Sequence, residues 1–339
     1  VGKSTVAVNL AYELARRGGR VGLVDVDIYG PSLPLLVKPS DTSIRPSPLG
    51  KGMVYPITYE GVKLLSLGFV NSKSGVPGSG TDSGPAVMRG PMASKVVDQL
   101  LRHTDWGELD VLLLDLPPGT GDIPLSLSQL NPPLSGIVSV TTPSRLALAD
   151  ARKGIHMFDS MAVPTLGLVL NMAYLDVGGD TATTNDGGGV EGTTRRVFPF
   201  GKGEVDFFDE ENVVRVPLSL ECADGNEDGV PICLSRRRRR RDDDDNDEEE
   251  KGMAEDGGDV EAAFGELANV VARELLLLDA DKRGYLEEFV TFRGREFAVS
   301  RVTLVAKNGS RSFVVRLFGD EGAVELEVEG VELRLRHPK

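Results

Sequence analysis

The first five residues, Val1-Gly2-Lys3-Ser4-Thr5, have the chemistry of a phosphate-binding turn opening a helix. A glycine lets backbone N–H groups wrap an anion, a lysine reaches its outer oxygens, a neighbouring hydroxyl meets Mg²⁺, and the helix N-terminus adds partial positive charge. Gly2, Lys3 and Ser4 fit those roles. A second run, Val111-Leu112-Leu113-Leu114-Asp115, is aliphatic and ends in an acid, the form that sets a carboxylate beside a phosphate-bound Mg²⁺. It continues into Pro117-Pro118-Gly119-Thr120-Gly121-Asp122, where Gly119 suits a loop whose N–H meets a γ-phosphate and moves when that group leaves. Asp25-Val26-Asp27 adds two acids at the end of another aliphatic run. One would order the metal's water shell and the other orient the attacking water, against the plainer reading of two turn acids. Asn171, ending a further run, is a candidate for a nucleobase edge.

Only a sheet can gather residues so distant in sequence. The runs 21–25, 62–67, 111–115, 137–141 and 165–171 are short, aliphatic and mostly bounded by Gly, Pro or Asp, so they predict buried strands. Amphipathic stretches at 3–17, 93–103 and 145–161 predict helices between them. Strands alternating with helices, and uninterrupted in their aliphatic character, call for an α/β fold: a mostly parallel sheet with helices on both faces.

The remaining chain divides by composition. Segments 71–85 and 177–194 are rich in Gly with Ser or Thr and read as loops. From 224 to 259 there are seven basic and fourteen acidic residues, a net of −7 that supplies half of the total formal charge of −14. Six arginines followed by an acidic run read as a solvated insert, which surface loops tolerate because each doubling of length costs only about 0.6 kcal/mol. A basic patch for an acidic partner is the competing reading. The expected domains are a nucleotide-binding core at 1–223, this insert at 224–259, a last helix of the core at 260–280, and a small β-rich domain at 285–339. The last follows from period-two alternation around Asn308-Gly309 and residues 319–322.

In 339 residues there are 52 Asp+Glu against 38 Lys+Arg and only two cysteines. An acidic chain repels phosphate backbones, so no nucleic-acid partner is expected, and no apolar run approaches the ~20 residues of a membrane span. Two thiols exclude a disulfide framework and a closed four-cysteine site within one chain.

Residues 24–32 (Val-Asp-Val-Asp-Ile-Tyr-Gly-Pro-Ser), Arg89-Gly90-Pro91-Met92, the block from Leu114 to Asp122, Thr141-Thr142-Pro143 and Asn171-Met172 resemble the signature blocks of the Mrp/ApbC family. These are deviant Walker-A P-loop ATPases of the MinD/ParA superfamily that act as scaffolds or carriers in iron–sulfur cluster assembly. Phe198-Pro199-Phe200-Gly201-Lys202-Gly203 is similar to a block of the plastid high-chlorophyll-fluorescence branch, whose appended β domain the C-terminal segment resembles. The resemblance implies that Lys3 and Ser4 or Thr5 bind phosphate and Mg²⁺, that Asp27 assists hydrolysis, that Asp25 and Asp115 organise the metal, and that Asn171 contacts adenine. ATP rather than GTP is implied, since no Asn-Lys-x-Asp element follows Asn171. The family's upstream half of the loop, with its signature lysine, would precede Val1.

The same resemblance implies a homodimer that carries a [4Fe–4S] cluster from upstream assembly scaffolds to apo iron–sulfur proteins. Most family members place a Cys-x-x-Cys after the Asn-Met strand, whereas this chain has Ala173-Tyr174-Leu175-Asp176-Val177-Gly178-Gly179 there. Cys222 and Cys233 are then the remaining candidates for cluster ligands, against a reading as small, partly buried thiols. The plastid stroma is the expected location from the branch likeness, with cytosol or mitochondrion as alternatives. A positioning ATPase of the MinD/ParA type, carrying no cluster, is the rival function.

Overall fold

The computed structural model describes residues 1–50, 52–70, 90–119, 127, 134–177, 195–235 and 256–282, and the backbone of strands lying between 298 and 335. The loop expectations at 71–85 and 178–194, the arginine and acidic run at 236–250, and Arg89 and residues 120–122 lie outside the described residues.

Helix α1 (Lys3–Arg16) leads from the turn at Gly2 into β1 (Val21–Asp25), and a short helix α2 (Leu33–Leu36) follows. Next come β2 (Ile57–Tyr59), β3 (Val62–Ser66), α3 (Leu67–Val70), α4 (Gly90–Arg102) and β4 (Val111–Asp115). The second half holds β5 (Ile137–Thr141), α5 (Arg145–Ser160), β6 (Thr165–Asn171), a hairpin of β7 (Leu175–Val177) and β8 (Arg195–Val197), and β9 (Val213–Val216). Helix α6 (Leu220–Asp228) and the long helix α7 (Asp256–Lys282) follow. Every strand and helix expected between 3 and 171 is present within a few residues of its expected ends.

The strands form two sheets, in the orders β2-β3-β1-β4 and β5-β6-β9. All pairings are parallel except β2 with β3, where two residues, Glu60 and Gly61, close a hairpin. Both residues of that turn have positive φ, as a tight primed-type turn requires. Alternation along the strands serves two helical layers. Leu23 of β1 and Val169 of β6 join the cluster under α1 and α7, while Val24 packs with Val97 and Leu100 of α4, and Leu168 and Leu170 pack with Leu148 and Ile155 of α5. Helix α7 buries Val260, Ala263, Phe264, Leu267, Ala268 and Val271, the spacing of one helical face.

The start of the expected insert needs correcting. Residues 224–228 close α6, and Ile232, Cys233 and Leu234 are buried in the main core, while α7 begins at Asp256 rather than 260. Three apolar residues in a row after Pro231 carry more burial energy than the surrounding acidity can offset. The C-terminal strands β10 (Ala298–Lys307), β11 (Ser310–Gly319), β12 (Gly322–Glu329) and β13 (Glu332–Leu335) make an antiparallel meander in chain order.

A buried carboxylate fastens α1 to α7. Glu13 is fully buried and accepts from Arg16 Nε and Nη2 at 2.8 Å each and from Arg17 Nε at 3.0 Å. Arg17 in turn donates to the Gly265 carbonyl at 2.7 Å and to Asn269 Oδ1.

Candidate functional site

Parallel strands place their carboxyl ends at one edge of a sheet, and here that edge gathers the residues of the opening motif. Asp25 and Asp115 are register partners at the ends of β1 and β4. Asp115 is 5 % exposed, and burial pushes its carboxyl up to about 6. The Ser4 hydroxyl donates to it, and the Lys3 ammonium, Asp25 and Asp27 lie close enough to shift its charge. The structure thus brings Lys3, Ser4, Asp25, Asp27 and Asp115 to one place.

Gly2 sits just before α1 with φ +82°, and a Cβ there would fall 2.4 Å from Asn171 Nδ2. Both facts demand glycine. The Asn171 side chain donates to the Val1 carbonyl at 3.0 Å, so the end of β6 braces the loop. Gly119 also has positive φ, +90°, and among the described residues nothing lies within 4 Å of where its Cβ would be. Thr5 Oγ1 accepts from Asn226 Nδ2 of α6 at 3.4 Å, and Asn9 Oδ1 accepts from the Ile232 N–H at 2.9 Å. Asn226 was not foreseen, because nothing in an acidic stretch such as Asp224–Asp228 distinguishes a residue that folds back onto α1.

Asp25 is held by hydrogen bonds on both carboxylate oxygens. One oxygen accepts from the Asp27 N–H at 3.0 Å, and the other from the Ser32 N–H at 3.0 Å, the Leu33 N–H at 3.1 Å and the Ser66 hydroxyl at 3.1 Å. These four donors tie the carboxylate to the 27–33 loop, and Oδ1, with one donor, keeps a lone pair on the side of the site. Ser66 is the partner sequence reasoning missed; its signal was its place at the end of a strand running beside β1. Asp27 keeps a freer carboxylate, which accepts from the Gly30 N–H at 3.1 Å.

A family model described as "ParA: NUBPL iron-transfer P-loop NTPase" matches residues 1–245. The chain belongs to this family. The chloroplastic "Fe-S cluster assembly factor HCF101" of Arabidopsis thaliana is 43% identical over 239 residues, 69% of this chain and 40% of that protein. The "Iron-sulfur cluster carrier protein" of Pseudomonas fragi is 39% identical over 238 residues, covering 69% and 75% of the two chains. The chain thus spans about two fifths of the length of the plant relative. A nucleotide-binding protein of Archaeoglobus fulgidus, solved in complex with ADP, superposes with a TM-score of 0.51 at 29% identity, over 67% of this chain and 81% of that one. The P-loop NTPase fold expected from the sequence is therefore the fold of the chain.

Within this NUBPL-type fold the donor set fits Mg²⁺ and a nucleotide polyphosphate: a hydroxyl, a carboxylate, an ammonium and a helix N-terminus converge. The two cysteines do not fit cluster ligation in this arrangement. Cys233 is buried in the main core and Cys222 is half-buried in α6. Burial, with Glu13 behind it for Cys233, pushes the thiols up to about 12 for Cys233 and about 11 for Cys222. A metal ligand must be a thiolate, and these are held as thiols. Among the described residues no group of three or more His, Cys, Asp or Glu is arranged to hold a metal ion. No described helix is long and apolar enough to cross a membrane.

Alkylation tests the burial of the thiols. At pH 8, iodoacetamide should label Cys222 and Cys233 of the native protein at least about tenfold more slowly than in the urea-unfolded chain. Equal rates would show both thiols open. Because the folded thiols titrate above the ordinary 9.0, their contribution to stability is intact below pH 9 and is lost as pH rises toward 11 and 12. The urea midpoint should fall over that interval, and less so in Cys233→Ala.

Proposed function

We propose that the chain is the ATP-hydrolysing core of a carrier that delivers [4Fe–4S] clusters to apo iron–sulfur proteins. The observation that carries the hydrolytic half is the convergence of Lys3, Ser4, Asp27 and Asp115 at the sheet edge. The carrier half is supported by family membership and by the printed names of the Arabidopsis and Pseudomonas relatives.

Lys3 and the α1 N-terminus bind the phosphates and neutralise charge that grows during cleavage. Ser4 and Asp115, with Asp25 beside them, would hold Mg²⁺, which when bound polarises the phosphate oxygens. Thr5, held by Asn226, faces the phosphates beside them. Asp27 positions the water, and the 27–32 loop and the segment that begins at Gly119 respond to the terminal phosphate. Asn171 meets the adenine, with ATP favoured over GTP. The working unit is a homodimer fed by upstream assembly scaffolds, and the plastid stroma is its place, in keeping with the chloroplastic relative. The cluster is cargo, and the closed core keeps Cys222 and Cys233 away from it.

The test mixes the protein with a cluster-loaded scaffold and an apo [4Fe–4S] enzyme, with and without Mg-ATP. Faster recovery of the enzyme's activity with Mg-ATP is the expected outcome. ATP turnover with no acceleration of transfer would overturn the carrier reading in favour of a positioning ATPase.

A further inference from the structure

The ribbon of β7 and β8 has two unlike faces. Asp176 is the register partner of Arg196, while Leu175 and Val177 face Val197 and Arg195. Arg196 closes the first face: it donates to the Asp176 oxygens at 3.0 and 3.1 Å, lies 3.8 Å from Asp259 of α7 and stacks on the Tyr174 ring. The second face is outward, with Val177, Val197 and Arg195 all exposed.

β8 runs directly into a tight turn. The Gly201 N–H donates to the Phe198 carbonyl at 3.2 Å across Pro199 and Phe200, with proline where its fixed φ suits a β-turn. Close packing anchors the turn from below, since a Cβ at Gly203 would fall 2.9 Å from Pro143 Cβ and 3.1 Å from Leu170 Cδ1. A stiff turn thus holds Phe198 and Phe200 in water, 41 and 44 % exposed. Leu146, on the first turn of α5 just after Pro143, is 76 % exposed. Folding gains nothing from these side chains, and rigid aromatic groups are the usual anchors of a contact with another protein.

Charge separates the possible occupants. Arg145, Arg195 and Lys202 are exposed around this apolar surface and enter no ion pair among the described residues. No acid stands between residues 195 and 203, in a chain of net charge −14. A second copy of the chain would set these cations against themselves, because a two-fold contact uses one patch twice. A lipid surface is broad, and an anionic one would also meet the exposed carboxylates of Glu204, Asp206 and Asp209. A polypeptide segment a few residues wide meets the patch alone.

We propose that the outward face of β8 and the 198–202 turn dock a segment of a partner protein in which apolar side chains are flanked by carboxylates. Phe198, Phe200 and Leu146 receive the apolar groups, and Arg145, Arg195 and Lys202 the acids. The surface adjoins the nucleotide edge, because Pro143 follows the carboxyl end of β5 and Leu170 precedes Asn171. Resting on the carrier reading, the partner is an apo iron–sulfur protein; the binding chemistry does not need that reading.

Fluorescence anisotropy with the full chain and a labelled peptide, Asp-Leu-Glu-Phe-Asp-Leu-Glu, tests the surface without any cluster. Binding should weaken at least about tenfold when Phe198→Ser is combined with Phe200→Ser, and as much when Arg195→Glu is combined with Lys202→Glu. All four residues are exposed, so both double variants should keep the parental thermal midpoint. The same peptide with Lys at every acid should not bind. No binding of the acidic peptide, equal binding of both peptides, or unchanged affinity in either double variant would overturn the proposal. So would co-sedimentation with phosphatidylglycerol vesicles, or self-association of the chain, that the Phe198 and Phe200 substitutions abolish. In the transfer reaction both double variants should raise the KM for the apo enzyme and leave ATP turnover unchanged. A parent chain that binds the peptide but transfers no cluster would count against the carrier reading and uphold the docking surface.

Discussion

Lys3→Ala should lower ATP turnover by at least about 10²-fold while leaving the thermal midpoint within a degree or two of the parent protein. Lys3 stands at the first position of α1, where its backbone continues the helix and its ammonium faces the Asp115 carboxylate. Alanine is the best helix former, so the substitution does not unravel α1. What disappears is a flexible cation that can follow charge onto the phosphate oxygens. The loss should appear in kcat more than in KM, because that charge grows during the reaction. Unchanged turnover would remove this turn from the active site.

Asp25→Ala should cost about 3 kcal/mol of folding stability, the largest loss expected from any single polar residue of the site. Its carboxylate satisfies three backbone N–H groups and the Ser66 hydroxyl, in a place only 2 % exposed. Alanine leaves all four donors facing each other across an emptied space. Asn is no remedy, since its NH₂ would point a donor at N–H groups that need an acceptor. Both variants should therefore lower the urea midpoint, and both should speed proteolysis between 27 and 33 before the rest of the chain is cut. If Asp25→Asn kept parental stability, these hydrogen bonds would not be what holds the loop.

Asp25 shows where reading a sequence stops. Its residue type and its position at a strand end were legible, but an acid at such an end serves a metal or a loop equally well. The return of Ser32 and Leu33 onto it, seven and eight residues later, is what shows the loop contact. Longer periodic elements were easier: β1, β4, β5 and β6 each exceed four residues, and α1 and α5 carry a clear apolar face. β9, with only Val213–Val216, and β2, with three residues, are too short to show a period, and they are ordered by pairing with strands already in place. Cys233 was legible as a partly buried thiol, but not its place in the main core, which it shares with residues of α1 and of α7, a helix that lies beyond the charged tract. The break between β4 and β5 had no sequence signal at all.

The contact between Gly2 and Asn171 ties two properties that could otherwise drift apart in evolution. With no room for a methyl group between the turn and the end of β6, substitution at either position is felt at the other. A lineage exploring a new base preference through residue 171 would have to re-solve its phosphate turn in the same step. Change there should come in pairs or not at all, and a two-position library at 2 and 171 should return survivors that are strongly correlated.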